Sequence, residues 1–147
     1  MTNILFLCHG NICRSPMAEF VMKELARRAG RDDLNIASAA LHDDEIGSDI
    51  HRGTRAKLTA EGIPFSPRAA WRMRASDADA YDWIVVMDGA NLSDARRLVP
   101  SAGHGKVRRL LSFAGEERDI ADPWYTGDFD ATYADVLKGC AALLEVV

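Results

Sequence analysis

Cys8 and Arg14 are separated by five residues, and Ser15 and Pro16 follow at once in the run CHGNICRSP. A thiol attacks only as its thiolate, and a helix N-terminus, a nearby cation and inward-pointing backbone N–H groups all favour that form. Cys8 is placed to receive all three. The residues between, His9, Gly10, Asn11, Ile12 and Cys13, can wrap their amides around a tetrahedral dianion as a nest, since Gly and Asn tolerate the left-handed backbone such a loop requires. Arg14 offers a planar fork to two of the anion's oxygens, which Lys does not. Ser15 can give the thiolate a hydroxyl donor, which matters most when the sulfur departs in the second half of a reaction.

A group transferred to sulfur leaves behind an oxygen that needs a proton, so a general acid must approach from another loop. Asp122 is the best candidate. The run Asp122-Pro123-Trp124-Tyr125 joins a carboxylic acid to a stiff residue and two aromatic walls, and a partly apolar wall favours a protonated carboxyl. Once deprotonated, the same group can activate a water. His9 reads as a rim residue rather than a base. His42, Asp43, Asp44, Glu45, Asp49 and His51 read as a solvated acidic loop and not a metal site, because no ligand spacing such as H-x3-H occurs.

These groups need a scaffold that brings them together. Ile4 to Leu7 is an apolar run long enough for a buried strand and too short for a helix, and it ends at Cys8. Ser15 as N-cap and Pro16 as first helical residue predict a helix from about Pro16 to Ala29, with Met17, Phe20, Val21 and Leu25 on one face and Gly30 as its stop. Leu34 to Ala39 predicts a second strand, and Arg52 to Glu61 a second helix closed by Gly62. Trp83 to Met87 is the next strong buried-strand signal, followed by a helix from about Asn91 to Val99 that Pro100 halts. Val107 to Phe113 reads as a fourth strand, and residues 115–130 as a loop. The last helix keeps Phe129, Tyr133, Val136, Leu137, Cys140, Leu143, Leu144 and Val147 on one apolar face to the end of the sequence. Residues 68–81 are ambiguous, with Trp71 best placed as the packed residue of a surface helix. Strands alternating with helices predict an α/β fold, a doubly wound four-stranded parallel sheet with helices on both faces. In such sheets ligands sit at the carboxyl ends of the strands, where Cys8, the 40s loop and the loop after Phe113 are expected to emerge.

At 147 residues, with 48% hydrophobic and 27% charged residues, residues 1–147 are expected to form a single domain. A formal charge of −4 argues against nucleic acid as the main partner, because broad phosphate binding needs a basic excess. There is no apolar run long enough to span a bilayer and no signal-peptide pattern, so a cytoplasmic protein with no membrane partner is expected. Three cysteines without an export signal do not read as a disulfide framework. Cys140 falls on the core face of the last helix.

CHGNICRSPMAE resembles the active-site loop of the low-molecular-weight protein tyrosine phosphatases, whose signature is C-x5-R-S/T near the amino terminus. SAA with EIG, then EGIP, YDWIVVMD with NL, and DPWY follow in family order and at similar spacing across nearly the whole chain. The resemblance implies the flavodoxin-like fold of that family and hydrolysis of phosphotyrosine monoesters in a protein or peptide through a phosphocysteine, with no metal or organic cofactor. It makes Cys8 the nucleophile, Arg14 the phosphate clamp, Ser15 the thiolate's donor and Asp122 the general acid and then base. It also makes Asn11 a loop residue of unusual backbone conformation, braced by a polar network that includes Ser38. Cys13 matches a second loop cysteine that can pair with the nucleophile under oxidation, and a small buried packing residue is equally compatible. Phosphate-like oxyanions should occupy the same loop and inhibit.

The chain departs from the family pattern in three places. Asp43 and Asp44 stand where many relatives carry an aromatic residue, so Asp44 joins Trp124 and Tyr125 as the expected substrate wall. Pro67 replaces a His that braces the loop Asn in some relatives, and Trp124 replaces a common Tyr. Three other activities fit the same residues less well. Arsenate reduction lacks the further cysteines it uses between Val85 and Ser101. A non-catalytic phosphate binder leaves nucleophile, clamp and acid together without a purpose. Arginine phosphatases tend to carry Thr where this chain has Ile12, which favours an aryl phosphate.

Overall fold

The computed structural model describes residues 1–147. Four strands, β1 (Thr2–Cys8), β2 (Leu34–Ala40), β3 (Trp83–Val86) and β4 (Val107–Arg109), pair in parallel in the order β2-β1-β3-β4. The connecting helices are α1 (Arg14–Arg28), α2 (Arg52–Ala60), α3 (Gly89–Leu98), α4 (Pro123–Thr126) and α5 (Phe129–Val146). No helix is long and apolar enough to cross a membrane.

Alternation along the central strands splits the core. Ile4, Phe6 and Cys8 of β1 join Val85 and Met87 on the face covered by α1 and α5, where Met17, Val21, Val136, Cys140 and Leu143 pack. Leu5, Leu7, Ile84 and Val86 face the other way, against Ala95 of α3 and Val99. Both faces are covered, which is why β1 and β3 read as continuous apolar runs rather than as alternating ones. Each fully buried Leu, Ile or Phe on these strands contributes about 1.5–3 kcal/mol. The order reverses direction between β1 and β3, so their carboxyl ends splay a crevice into which both Cys8 and Asp88 project their loops.

Several boundaries differ from those expected. The first helix begins at Arg14 with Cys13 at the capping position and no side-chain cap, so Ser15 lies inside the first turn. Its hydroxyl is engaged by the loop, and Pro16 is still tolerated because the first four helical N–H groups have no intrahelical partner. Residues 68–74 are extended rather than helical: Ala40 donates to Trp71 O at 2.7 Å and Met73 to Ala40 O at 2.9 Å, laying the chain beside the end of β2. A 3-10 turn, Ala75–Ala80, follows. The fourth strand stops at Arg109 because Leu110 and Leu111 turn into a 3-10 segment that buries both side chains. Leu110 fits against α5 only because Gly139 is there: a Cβ at that position would lie 2.5 Å from Leu110 Cγ. The segment after it contains α4, a single turn started by Asp122 and Pro123.

Candidate active site

The loop from Cys8 to Arg14 is held from outside by its carbonyls. Leu41 N donates to Cys8 O (3.0 Å), His42 N to His9 O (3.0 Å), His51 N to Ile12 O (2.8 Å) and Thr54 Oγ1 to Cys13 O (3.3 Å), while the Arg68 guanidinium donates to Asn11 O. The amides of residues 9–13 donate to no protein acceptor. In a nest the N–H groups turn to the side opposite the C=O groups, so pinning the carbonyls outward leaves the donors free for an anion. Asn11 makes the turn possible with φ of 59°, the sole non-glycine residue of positive φ in the chain.

A directional relay runs behind the loop. Ser38 Oγ donates to Glu19 Oε1 at 2.6 Å, so it must accept from Asn11 Nδ2 at 2.9 Å. The second Asn11 N–H goes to Ser15 Oγ at 2.8 Å. Ser15 is thereby left with its own proton, and Cys8 Sγ at 3.0 Å is a nearer acceptor than Ala39 O at 3.5 Å. Ser15 N adds a second donor to the sulfur at 3.4 Å. Asn11, Ser15 and Ser38 are all buried, so each of these bonds is shielded from competing water.

Arg14 is 3% exposed and fixed at its far end. Its Nη1 donates to Asp88 Oδ2 (2.7 Å) and Ile120 O (2.9 Å), and Nη2 reaches Asp122 Oδ2 at 3.4 Å. Burial alone would lower the guanidinium's pKa, but the Cys8 sulfur, the Asp88 hydrogen bond and the Asp122 charge together raise it. Asp88 does two jobs, since its other oxygen caps α3 by accepting from Asn91 N at 2.7 Å. Asp122 likewise caps α4, accepting from Trp124 N at 3.1 Å. Cys13 is buried beside the loop, and burial with the nearby Cys8 and Asp122 pushes its thiol up to about 12. It remains a protonated neighbour where Cys8 is supplied with donors.

These groups line one cleft of about 430 Å³. Cys8, Gly10, Ile12, Cys13 and Arg14 form its floor, Trp124 and Tyr125 one wall with Asp122, and His9, Asp44, Glu45, Asp88 and Asp94 the opposite rim. Ser15, Asn11 and Ser38 stand behind the floor and do not line it. His9 stands on the rim, its Nε2 2.6 Å from Asp44 Oδ2 and its ring stacked on His42 at 4.2 Å, while His42 Nε2 meets Asp94 Oδ2 at 2.9 Å. The His9 hydrogen bond holds the Asp44 carboxyl below the usual carboxylate range. Asp43 points away from the cleft, 3.9 Å from Arg72.

Sequence reasoning missed Asp88, Glu19, Arg68, Thr54 and His51. Arg68 supplies what Pro67 cannot: half-buried, it donates to Asn11 O and to Ser48 O at 3.1 Å, and burial lowers its pKa against the opposing charges of Glu19, Asp49 and Cys8. Losing a charge-assisted bond to a strained loop is felt in binding. Arg68→Ala should weaken competitive inhibition by inorganic phosphate about tenfold, the equivalent of roughly 1.4 kcal/mol; an unchanged inhibition constant would remove Arg68 from the support of the loop.

A thiol at the end of a β-strand, cradled by free amides and followed by a buried arginine at a helix start, defines a phosphate-loop protein on a doubly wound sheet. Within that class, residues 3–147 match the low molecular weight phosphotyrosine protein phosphatase family, and the chain belongs to it. It is 35% identical over 147 residues to the low molecular weight protein-tyrosine-phosphatase YfkJ of Bacillus subtilis, covering 98% of this chain and 94% of YfkJ. The crystal structure of YfkJ superposes with a TM-score of 0.95 over 99% of this chain and 94% of that one. The low molecular weight protein tyrosine phosphatase SP-PTP of Streptococcus pyogenes gives 0.88 at 35% identity, over 100% and 93%. A Drosophila arginine phosphatase gives 0.89 at 30% identity, over 99% and 97%.

Proposed function

We propose that this protein hydrolyses phosphotyrosine monoesters through a phosphocysteine on Cys8. The observation that carries the reading is the convergence of Cys8, the fixed Arg14 and Asp122 on one cleft, with Asp122 Oδ2 3.4 Å from the clamp's Nη2. The ester's phosphoryl oxygens accept from the loop amides and from Arg14 donors not taken by Asp88 and Ile120. Sulfur attacks phosphorus, the P–O(aryl) bond breaks, and Asp122 passes its proton to the departing phenolate oxygen. Water then attacks the phosphocysteine, giving a proton to Asp122, and the sulfur leaves as thiolate with the Ser15 hydroxyl as its donor. The products are tyrosine and inorganic phosphate, and no step calls on a metal or an organic cofactor.

Ile12 on the floor and Trp124 and Tyr125 on the wall offer apolar contact to an aryl ring, which favours phosphotyrosine over phosphoserine or phosphoarginine. The experiment is a peptide panel carrying each of the three phosphoamino acids, assayed with a chelator present. Phosphotyrosine turnover should dominate, and faster release of phosphate from phosphoarginine would overturn the substrate assignment.

The rim adds a preference. Asp44, Glu45 and Asp94 surround the mouth, with His9 and His42 as the facing imidazoles. Peptides with Lys or Arg beside the phosphotyrosine should be favoured over acidic ones by about three- to tenfold in kcat/KM, with the gap narrowing as salt is raised. A preference for acidic flanks at low ionic strength would contradict it.

A further inference from the structure

His51 lies outside the cleft lining, yet it touches the phosphate loop, α2, the α4 turn that Asp122 caps and the start of α5. Its backbone N donates to Ile12 O of the phosphate loop at 2.8 Å. Its Nδ1 accepts from Gly53 N at 3.0 Å, capping α2. Its ring stacks on Phe129 at the start of α5 (5.5 Å, 17° between planes) and meets Trp124 edge-on (5.6 Å, 76°). The junction is tight, because a Cβ on Gly53 would fall 2.2 Å from the Phe129 ring. Trp124 in turn donates its backbone N–H to Asp122 Oδ1.

We propose that His51 is a positioning residue that sets the distance between the phosphate loop and the Asp122 carboxyl. The imidazole is the spacer: its backbone is tied to the loop, and its ring is wedged between Phe129 and the residue that orients Asp122. Aromatic packing of this kind is directional, so a smaller side chain leaves the α4 turn free to drift without unfolding it. Displacement of about 1 Å at a reacting group costs up to about 100-fold. The loop's own donors are untouched by such drift, so the loss falls on proton delivery and not on phosphate binding. The inference rests on the acid role proposed for Asp122.

Two variants separate the ring from the cap. His51→Asn keeps a good N-cap acceptor and removes the ring; His51→Phe keeps an aromatic ring and removes the acceptor. For aryl phosphates of graded leaving-group basicity, His51→Asn should lower kcat/KM about tenfold for basic phenols and under about twofold for nitrophenols, steepening the dependence. Inhibition by inorganic phosphate should stay within about twofold. His51→Phe should restore the parent's slope while melting at a lower temperature from the lost cap. Asp122→Asn is run beside them. If Asp122→Asn steepens the slope and His51→Asn does not, or if His51→Phe steepens it as much as His51→Asn, the positioning role is overturned. If Asp122→Asn itself leaves the slope unchanged, the acid assignment fails instead.

Discussion

Cys8→Ser should abolish turnover of aryl phosphates, by about 10⁴-fold or more, which is roughly 5 kcal/mol of transition-state stabilisation. Oxygen replaces sulfur with little change in shape, so the donors that surround Sγ, Ser15 Oγ at 3.0 Å and Ser15 N at 3.4 Å, remain in place. What changes is the nucleophile: a serine hydroxyl here has no neighbouring base to take its proton, because Ser15 is itself committed as acceptor to Asn11. The proposed anion site is a separate matter. Its donors are the loop amides and Arg14, none of which depends on sulfur, so the variant should still bind a phosphotyrosine peptide with an affinity near the parent's KM. Calorimetry on the variant and a phosphate-release assay check the two halves together. Turnover that survives the substitution would falsify the thiolate mechanism, and loss of binding along with turnover would point to a collapsed loop rather than to a missing nucleophile.

The residues that sequence alone could rank are those whose type and spacing are both unusual. A Cys and an Arg five residues apart after a buried strand, or an Asp before Pro and two aromatics, stand out on a one-dimensional reading. The strand and helix periods then place them at one edge of the sheet. Asp88 and Arg68 do not stand out. Asp88 is an ordinary polar residue at the end of a strand and the cap of a helix, and its hydrogen bond to Arg14 joins positions 74 residues apart. Arg68 sat in a stretch whose pattern suited a surface helix, and only the pairing of that stretch with the end of β2 shows that its guanidinium reaches the loop, 57 positions away. Glu19 falls on α1 two residues beyond Met17, where a carboxylate is ordinary, and its contact with Ser38 depends on how α1 crosses β2. The misplaced helix start has a similar origin. Ser15 has the composition of an N-cap, but a loop that needs its hydroxyl for Cys8 outcompetes the cap, and the helix begins at Arg14, two residues before Pro16.

Asp122→Asn is the substitution that tests the other half of the chemistry. Asn keeps the side-chain oxygen that accepts from Trp124 N, so α4 retains its cap. It can neither give nor take a proton at the working pH. In the first step the departing oxygen of tyrosine is strongly basic and must be protonated as its bond to phosphorus breaks; kcat/KM for a phosphotyrosine peptide should fall by about 10²–10³-fold, the usual reach of a positioned acid. A dinitrophenyl ester leaves without help, and its kcat/KM should change by less than about threefold. The second step then shows the base role. With a good leaving group the phosphocysteine forms normally but water is no longer activated, so the variant should release one equivalent of phenol in a burst and turn over slowly afterwards, with rapid-quench measurement reading the burst. The Asp122 to Arg14 contact of 3.4 Å is long for a charge-assisted bond; Asp88 and Ile120 O already hold Arg14 in place, so loss of the Asp122 charge should leave inhibition by inorganic phosphate nearly unaltered. An equal fall across the leaving-group series would place Asp122 among the residues that bind or shape the loop, and the proton would have to come from elsewhere.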